Sequence, residues 1–291
     1  MPAPLPICYL NGEYLPLAEA RVSPLDRAFL FGDSVYEVIP VYESRPFRLR
    51  EHLERLDRSL GGIRMSPPLP HGGWLRLCEA LIARNAARDA YLYLQVTRGT
   101  EFGRNHAWPQ DLKPTLFAYA TALEPLAPSV LENGVTAVTA ADIRWARRDI
   151  KSTALLANIL LKKLSADAGA FETILLEDGA LTEGSSTAVH VVKDGVILTP
   201  PNGHRILHGT TRDVVTELAA RIGMSCETRR VSEAELRAAD EVWLAFATRG
   251  VLPVTTLDGA AVGTGKPGPG FKRMSAAFGG YARELAGTPA L

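Results

Sequence analysis

The sequence predicts an α/β protein built from two domains that meet near residue 125. Its 291 residues, 46% of them hydrophobic, are enough for one large domain or for two smaller ones with buried cores. Strand patterns alternate with amphipathic helical patterns in both halves. Two prolines in the segment EPLAPS at 124–129 mark a linker. We therefore predict a small N-terminal α/β domain over 1–123, a linker over 124–129 and a larger C-terminal domain over 130–291.

The N-terminal elements follow from turn residues and periodicity. Asn11-Gly12 lies between two apolar runs and predicts a hairpin, because this pair supplies the positive φ angles of a type I′ turn. Three leucines of HLERLDRSLGG share one face of a helix that the two final glycines end. The other predicted elements are a strand over 34–42, a helix over 74–87, and strands over 89–99 and 114–123 separated by a polar, aromatic loop at 101–113.

Short strands and helices alternate after the linker. An apolar-striped helix is predicted over 152–169, and Asp178-Gly179 predicts a turn between two strands. TTRDVVTELAARIG is a helical pattern that Thr210 or Thr211 could cap. The remaining elements are strands over 135–140, 171–177, 187–192 and 241–247, and a final helix over 271–286.

Composition excludes several classes of function. The 32 basic and 32 acidic side chains cancel, so no general field gathers nucleic acid or an anionic membrane. Cys8, Cys78 and Cys226 lie far apart, which favours neither a disulfide framework nor a cysteine metal site. His204 and His208 lie in a loop rich in proline and glycine, so we expect no metal there. No signal-peptide pattern or membrane-spanning run is present, and we expect a cytoplasmic protein whose partners are small molecules or its own copies.

Two titratable residues stand out for chemistry. Only seven of the 32 basic residues are lysines, and Lys151 alone among them lies between a polar run and a long apolar helix. Partial desolvation there would free its amine for Schiff-base formation. Glu183 lies in a Glu-Gly-Ser-Ser bend that enters a strand, where a covered carboxylate could hold a pyridine nitrogen protonated. A surface lysine and an ordinary turn glutamate explain the same two patterns.

A phosphate site is predicted where Gly209-Thr210-Thr211-Arg212 enters a helix. The backbone N–H groups of the first turn and two hydroxyls converge there, and the helix dipole favours an anion. Arg55 on the HLERL helix could add a forked contact to a phosphate oxygen. A plain helix cap and an exposed helical arginine remain the alternatives.

The order of these features resembles the fold type IV pyridoxal-phosphate enzymes. This family includes D-amino acid, branched-chain L-amino acid and R-selective amine aminotransferases, together with aminodeoxychorismate lyase. The resemblance implies a small N-terminal α/β domain, a larger C-terminal pseudo-barrel domain and pyridoxal 5′-phosphate as cofactor. Its motifs are DRAFLFGDSVYEV, HLERL, RGTEFGRNH, RRDIKSTALLANILLKK, LTEGSSTAVHVVKDG, ILHGTTRDVV and TTLDGAAVGTGKPGP.

The resemblance implies a role for each motif residue that binds the cofactor. Lys151 resembles the lysine that forms the Schiff base, and Glu183 resembles the partner of the pyridine nitrogen. Arg55, with backbone and hydroxyl groups at Thr210 and Thr211, resembles the phosphate cup.

Three further residues resemble the carboxylate-binding set of D-amino acid aminotransferases. Tyr36 lies in the VYEV strand, and Arg104 and His106 lie in an RNH segment that the family contributes from the other subunit. A cation, a phenol and an imidazole can hold one carboxylate at several points. In the FATRG segment, Thr248 is a further candidate for the phosphate. Arg249 departs from the family pattern and could alter the substrate pocket.

The resemblance implies transamination of D-amino acids such as D-alanine, with 2-oxoglutarate or another 2-oxo acid as acceptor, in a ping-pong cycle. Lys151 would move the α-proton, and the enzyme would be a homodimer. Aminodeoxychorismate lyase, a branched-chain L-amino acid aminotransferase and an R-amine aminotransferase remain alternatives on the same fold. A non-catalytic relative that binds a partner protein is a further alternative.

Overall fold

The computed structural model describes residues 3–286, and their contacts divide them into two units. The first unit comprises 3–124, 150–154 and 282–286, and the second comprises 125–149 and 155–281. Lys151 therefore lies in the first unit, whereas the sequence analysis placed it in the C-terminal domain. The physical reason is a non-local contact, because the neighbouring Ile150 is buried in the hydrophobic core of the first unit.

The first unit is a six-stranded antiparallel sheet covered by helices. Its strands, in the spatial order β2-β1-β6-β5-β3-β4, are β1 (Pro4–Leu10), β2 (Glu13–Pro16), β3 (Ser34–Tyr42), β4 (Arg45–Pro46), β5 (Ala90–Thr97) and β6 (Thr115–Ala122). Its helices are α1 (Arg27–Phe31), α2 (Leu49–Gly62) and α3 (His71–Arg84), and a short 3-10 turn covers Leu17–Glu19. The hairpin predicted at Asn11-Gly12 is confirmed, and both residues have positive φ angles of 50° and 107°.

Helix α2 packs its apolar face on this sheet. Leu53, Leu56 and Leu60 are fully buried together with Val35 and Ile39 of β3, which confirms the helical face predicted from their spacing. The helix ends at Gly62, as its glycines predict.

The second glycine of α2 also has a packing role. A Cβ atom at Gly62 would lie 2.8 Å from the Ile150 side chain, so only glycine lets segment 150–154 approach the helix this closely.

The second unit is a nine-stranded mixed sheet with peripheral helices. Its strands are β7 (Val135–Ala141), β8 (Glu172–Glu177), β9 (Ala180–Gly184), β10 (Ala188–Lys193), β11 (Val196–Thr199), β12 (Cys226–Thr228), β13 (Glu241–Phe246), β14 (Gly250–Leu257) and β15 (Ala260–Ala261). Its helices are α4 (Pro128–Asn133), α5 (Leu156–Asp167), α6 (Thr210–Arg221), α7 (Glu233–Arg237) and most of α8 (Pro269–Ala286). The main path of the sheet is β12-β11-β10-β13-β14-β7-β8-β9.

The connection between β9 and β10 shows that this sheet curls. Five strand spacings separate these two strands along the path, which would be about 24 Å in a flat sheet. Only 185–187 join them, and such a link spans at most about 14 Å. The sheet must therefore bend back on itself, which confirms the predicted pseudo-barrel.

Several element boundaries differ from the sequence predictions, since α3 covers His71–Arg84 and not 74–87, and α5 covers Leu156–Asp167 and not 152–169. Helix α4 begins at Pro128, inside the predicted linker, because proline suits the first turn of a helix. Helix α6 has Gly209 as its N-cap, so Thr210 and Thr211 are its first two helical residues and neither caps it. Helix α8 begins at Pro269 and not at 271. Within the described residues, no helix combines the length and the apolar character that crossing a membrane requires.

Candidate active site

Lys151 is held by the backbone of β3. The Tyr36 N–H donates to the Lys151 carbonyl oxygen at 3.0 Å, and the Thr153 N–H donates to the Ser34 carbonyl oxygen at 3.0 Å. The Lys151 N–H donates to the Ser59 hydroxyl of α2 at 3.2 Å. These bonds make segment 150–154 a short extension of the sheet, so the lysine is anchored on both sides.

The Lys151 amine lies over an aromatic surface. Its Nζ atom is 4.2 Å from the centroid of the Tyr36 ring, and this ring stacks on Tyr93 at 5.6 Å with an interplanar angle of 24°. An ammonium group is attracted to the face of such a ring. The structure therefore brings together Lys151 and Tyr36, two of the residues singled out from the sequence.

Arg55 belongs to a buried ion pair that the sequence analysis missed. Its Nε and Nη2 atoms donate to the two carboxylate oxygens of Glu37, each at 2.7 Å, and His52 Nδ1 lies 2.8 Å from Glu37 Oε2. Burial alone would raise the pKa of Glu37, but Arg55 and His52 outweigh it and hold that pKa below its usual range. The carboxylate thus fixes the plane of the Arg55 guanidinium. The spacing of His52 and Arg55 along one helical turn was the available signal.

Arg104 and His106 lie together on an exposed loop of the first unit. The Arg104 guanidinium is 5.1 Å from the centroid of the Phe31 ring, and the His106 ring is 5.5 Å from it. Within the part of the chain that the structure describes, no hydrogen bond or ring contact joins Tyr36 to either residue. One copy of the chain therefore places Arg104 and His106 against the Phe31 ring, whereas Tyr36 contacts Lys151.

Glu183 is buried in the second unit at the end of β9. Its Oε1 atom accepts from Arg144 Nη1 at 2.5 Å, and both oxygens accept from the Leu207 N–H at 3.2 Å. Burial raises the pKa of Glu183, while Arg144 and the Leu207 N–H oppose the rise. The predicted covered carboxylate is thus present, and a buried cation stabilises its charge.

Arg144 is in turn held by Asp142, a second contact that the sequence analysis missed. The Nε and Nη2 atoms of Arg144 donate to the two oxygens of Asp142 at 2.9 and 2.7 Å. Thr182 donates its hydroxyl to the same carboxylate at 2.8 Å. The three side chains form one network around Glu183, and the DIR sequence at 142–144 was its only local signal.

The N-terminus of α6 presents the groups expected for a phosphate. Thr210 and Thr211 are 5% and 7% exposed. The N-cap Gly209 has no side chain, and no side-chain cap bond is made at this end of the helix among the described residues. First-turn N–H groups of a helix need an acceptor from outside the helix. Their orientation and the helix dipole suit an anion.

Thr248 and Arg249 lie in the turn between β13 and β14. This turn is closed by the Arg249 N–H, which donates to the Phe246 carbonyl oxygen at 3.3 Å. Gly250 follows with a φ angle of 69°. Both residues are half-buried, and their predicted roles toward phosphate and substrate stay predictions.

A family model for amino-transferase class IV matches residues 34–257, well over half of the chain. The chain belongs to the class IV aminotransferases. A D-alanine aminotransferase of Bacillus licheniformis is 40% identical over 268 residues, which cover 92% of this chain and 94% of that relative. One from Listeria monocytogenes is 37% identical over 262 residues, covering 89% and 90%.

Solved structures of class IV aminotransferases share the fold. A branched-chain amino acid aminotransferase of Escherichia coli has a TM-score of 0.89 and 29% identity, covering 95% of this chain and 94% of that one. A second branched-chain amino acid aminotransferase, solved with pyridoxamine 5′-phosphate, has a TM-score of 0.88 and 27% identity, covering 98% and 95%. The predicted fold type and the aminotransferase activity are confirmed.

Pyridoxal phosphate is the predicted cofactor, and membership of the class IV aminotransferases confirms it. The side chains of this chain fit that cofactor. Lys151 has an amine, and Arg55 has a guanidinium that Glu37 fixes. Glu183 is a buried carboxylate, and no side-chain cap is present at the N-terminus of α6 among the described residues. These groups match an aldehyde, a phosphate and a pyridine nitrogen in chemistry. The assignment of each residue to its part of the cofactor remains a proposal.

Proposed function

We propose that this class IV aminotransferase moves the amino group of D-amino acids, with D-alanine as the representative substrate, to 2-oxoglutarate or another 2-oxo acid. The observation that carries the proposal is the placement of Arg104 and His106 against the same Phe31 ring. A guanidinium and an imidazole held together can bind one carboxylate at two points. The D-alanine aminotransferases that share 40% and 37% of their sequence with this chain support the same substrate class.

Lys151 is proposed to carry the proton. When bound, the cofactor supplies an electron sink for the electron pair left at the α-carbon. Lys151 Nζ removes the α-proton and holds it until the proton is returned. Its position is set by backbone bonds to β3 and α2, so the amine acts from one side of the substrate. A carboxylate held at a fixed place then lets only one enantiomer present its hydrogen to Lys151.

The cofactor is proposed to be oriented by charged and polar groups at Glu183, Arg55, Thr210 and Thr211. Glu183 would accept a hydrogen bond from the protonated pyridine nitrogen, and Arg144 favours the ionised form of the Glu183 carboxylate. Arg55 and the first turn of α6, with Thr210 and Thr211, bind the phosphate. Thr248 adds a further phosphate contact, and Arg249 lines the substrate pocket.

We further propose that the active enzyme is a homodimer in which the Arg104 loop serves the site of the other subunit. Support comes from the exposure of the loop and from the different neighbours of these side chains. Arg104 and His106 lie against Phe31, whereas Tyr36 lies against Lys151 and Tyr93. A second copy of the chain would bring its Arg104 and His106 to Tyr36 and so complete the predicted carboxylate-binding set. A cytoplasmic location is also proposed, and it agrees with the free thiols of Cys8, Cys78 and Cys226.

Turnover of single substrates tests the activity. Purified enzyme loaded with pyridoxal phosphate should convert D-alanine and 2-oxoglutarate to pyruvate and D-glutamate, and it should use D-alanine at least about a hundredfold better than L-leucine by kcat/KM. Lys151→Ala should lower kcat by about a thousandfold or more. Lys163→Ala, at an exposed lysine of α5, is the matched control and should keep full activity. A preference for L-leucine, or pyruvate release from aminodeoxychorismate, would overturn the proposal.

Complementation between two inactive variants tests the shared site. Lys151→Ala and Arg104→Ala subunits are unfolded together, mixed in equal amounts and refolded. If the Arg104 loop reaches the partner's site, each mixed dimer holds one intact site, and roughly one quarter of wild-type activity returns. If Arg104 acts within its own subunit, mixing restores nothing.

A further inference from the structure

The loop that carries Arg104 and His106 has few bonds of its own. Residues 102–111 are exposed throughout. Its internal hydrogen bonds are short-range, from the Gly103 N–H to the Glu101 carbonyl oxygen at 3.0 Å and from the Ala107 N–H to the Asn105 side chain at 3.1 Å. Such bonds do not anchor a loop to the rest of the protein. Something outside the loop must hold the carboxylate-binding side chains in place.

The buried side chain of Arg27 makes that connection. Its Nη1 atom donates to Glu101 Oε2 at 2.6 Å and to the Asn105 carbonyl oxygen at 2.7 Å. Its Nη2 atom donates to the His106 carbonyl oxygen at 3.3 Å. Arg27 is only 3% exposed and begins α1. One guanidinium therefore ties the start and the middle of the loop to the same helix.

Asp33 holds Arg27 and a second arginine at the same time. The Asp33 Oδ2 atom accepts from Arg27 Nε at 2.9 Å and from Arg98 Nε at 2.8 Å. The Arg98 guanidinium lies 4.1 Å from the centroid of the Trp108 ring, at the far side of the loop. Gly32, with a φ angle of 67°, ends α1 and turns the chain so that Asp33 faces back toward Arg27.

Phe31 relays this anchoring to the carboxylate-binding side chains. Arg27 lies 4.7 Å from the centroid of the Phe31 ring, and Arg104 and His106 lie 5.1 and 5.5 Å from it. The Phe31 ring thus lies next to the Arg27 guanidinium and next to the side chains of Arg104 and His106.

We propose that Arg27 is a positioning residue that prepares Arg104 and His106 for the substrate carboxylate by fixing the backbone of their loop to α1. This inference rests on the proposed function. Arg27 is expected to touch neither substrate nor cofactor. A preformed loop loses less conformational freedom when the substrate binds, so the anchoring should strengthen binding. A lysine at this position could not replace it, because its single ammonium group cannot reach four acceptors in a fork.

Arg27→Lys is the first test, with three readouts. The KM for D-alanine should rise about tenfold or more while kcat changes by less than about threefold. The Kd for pyridoxal phosphate should stay unchanged. Limited trypsin digestion should cut after Arg104 at least about ten times faster, because the released loop fits a protease. Arg48→Lys is the matched control, since its guanidinium is also buried and pairs with Glu51 at 3.1 Å, and it should leave all three readouts unchanged.

Glu101→Gln gives a second variant that keeps the size of the side chain. It removes one charged acceptor of Arg27 and should raise the same KM by about threefold. Combined with Arg27→Lys it should add little, because both changes break the same contact. An unchanged KM and an unchanged cutting rate in a folded Arg27→Lys enzyme would overturn the inference while the proposed function stands. If the wild type does not use D-amino acids, the proposed function fails. The rate of trypsin cutting after Arg104 then decides the role of Arg27 by itself. Faster cutting in Arg27→Lys supports that role, and an unchanged rate removes it.

Discussion

Replacing Arg144 by glutamine should weaken both the fold and the acid tolerance of the enzyme. In the wild type this guanidinium, 7% exposed, joins two carboxylates, Asp142 and Glu183. Arg144→Gln removes two hydrogen bonds to Asp142 and one to Glu183. Asp142 keeps the Thr182 hydroxyl and an ion pair with Arg148 at 3.5 Å. Glu183 keeps only the Leu207 N–H among its described partners, so Glu183 is the carboxylate left without a cation.

The size of the effect follows from this arrangement. Removing one partner of a buried ion pair costs about 3–5 kcal/mol of folding stability. Because Arg148 still serves Asp142, we expect the lower end, about 3 kcal/mol. The Glu183 carboxyl, whose pKa burial already raises, should have a still higher pKa in the variant. Its ionised form is then lost at a higher pH, so kcat should begin to fall at a higher pH as the solution is acidified.

Two measurements check this prediction. Urea unfolding gives the change in stability, and kcat for D-alanine measured from pH 5 to pH 9 gives the acidic limb. Arg147→Gln is the control, because Arg147 lies three positions on and forms a surface ion pair with Asp149 at 2.9 Å. A variant with wild-type stability and an unshifted acidic limb would refute the role assigned to Arg144.

Two other buried titratable groups lead to predictions about stability. Burial, helped by Arg212, lowers the pKa of His190 from 6.5 to about 3. Below pH 6.5 the unfolded chain therefore binds a proton at His190 that the folded chain does not bind. The free energy of unfolding falls by about 1.4 kcal/mol per pH unit on acidification. His190→Leu should remove that part of the slope in urea unfolding at pH 6, 5 and 4, and an unaltered slope contradicts it. Glu37→Gln should cost about 3–5 kcal/mol because it leaves Arg55 buried without its carboxylate; the exposed Glu43→Gln is its control, and a loss below about 1 kcal/mol would argue against the buried pair.

Local patterns predicted the elements of the fold because their causes are local. Asn11-Gly12 is sufficient for a type I′ turn, and the spacing of Leu53, Leu56 and Leu60 is sufficient for a helix with one buried face. The attachment of segment 150–154 to the first unit has no such cause. It depends on Gly62 leaving room for Ile150, and nothing in the residues around Ile150 indicates a partner so distant in sequence.

The candidate site shows the same division. Lys151 and Glu183 could be proposed from the sequence because their own surroundings are unusual for their residue types and their motifs resemble those of the family. Two supporting residues could not be predicted, namely Arg144, which pairs with Glu183, and Arg27, which holds the loop of Arg104 and His106. Their contacts depend on partners that only the fold brings near. In each case the sequence offered one charged side chain among many, 25 of the 32 basic residues being arginines, and only the geometry tells which of them are buried and paired.

The pleat of strand β3 places two different sets of contacts on opposite faces of the strand. Neighbouring residues of a strand point to opposite faces, so Tyr36 meets the amine of Lys151 while Glu37 meets Arg55 and His52. Residues on the Tyr36 face can therefore be exchanged to accept new substrates without touching the ionic network on the other face. An insertion of one residue in β3 would instead swap the two faces and abolish both sets of contacts at once. For directed evolution of this enzyme, point changes on the Tyr36 face of β3 are tolerable, whereas changes in the length of the strand are not.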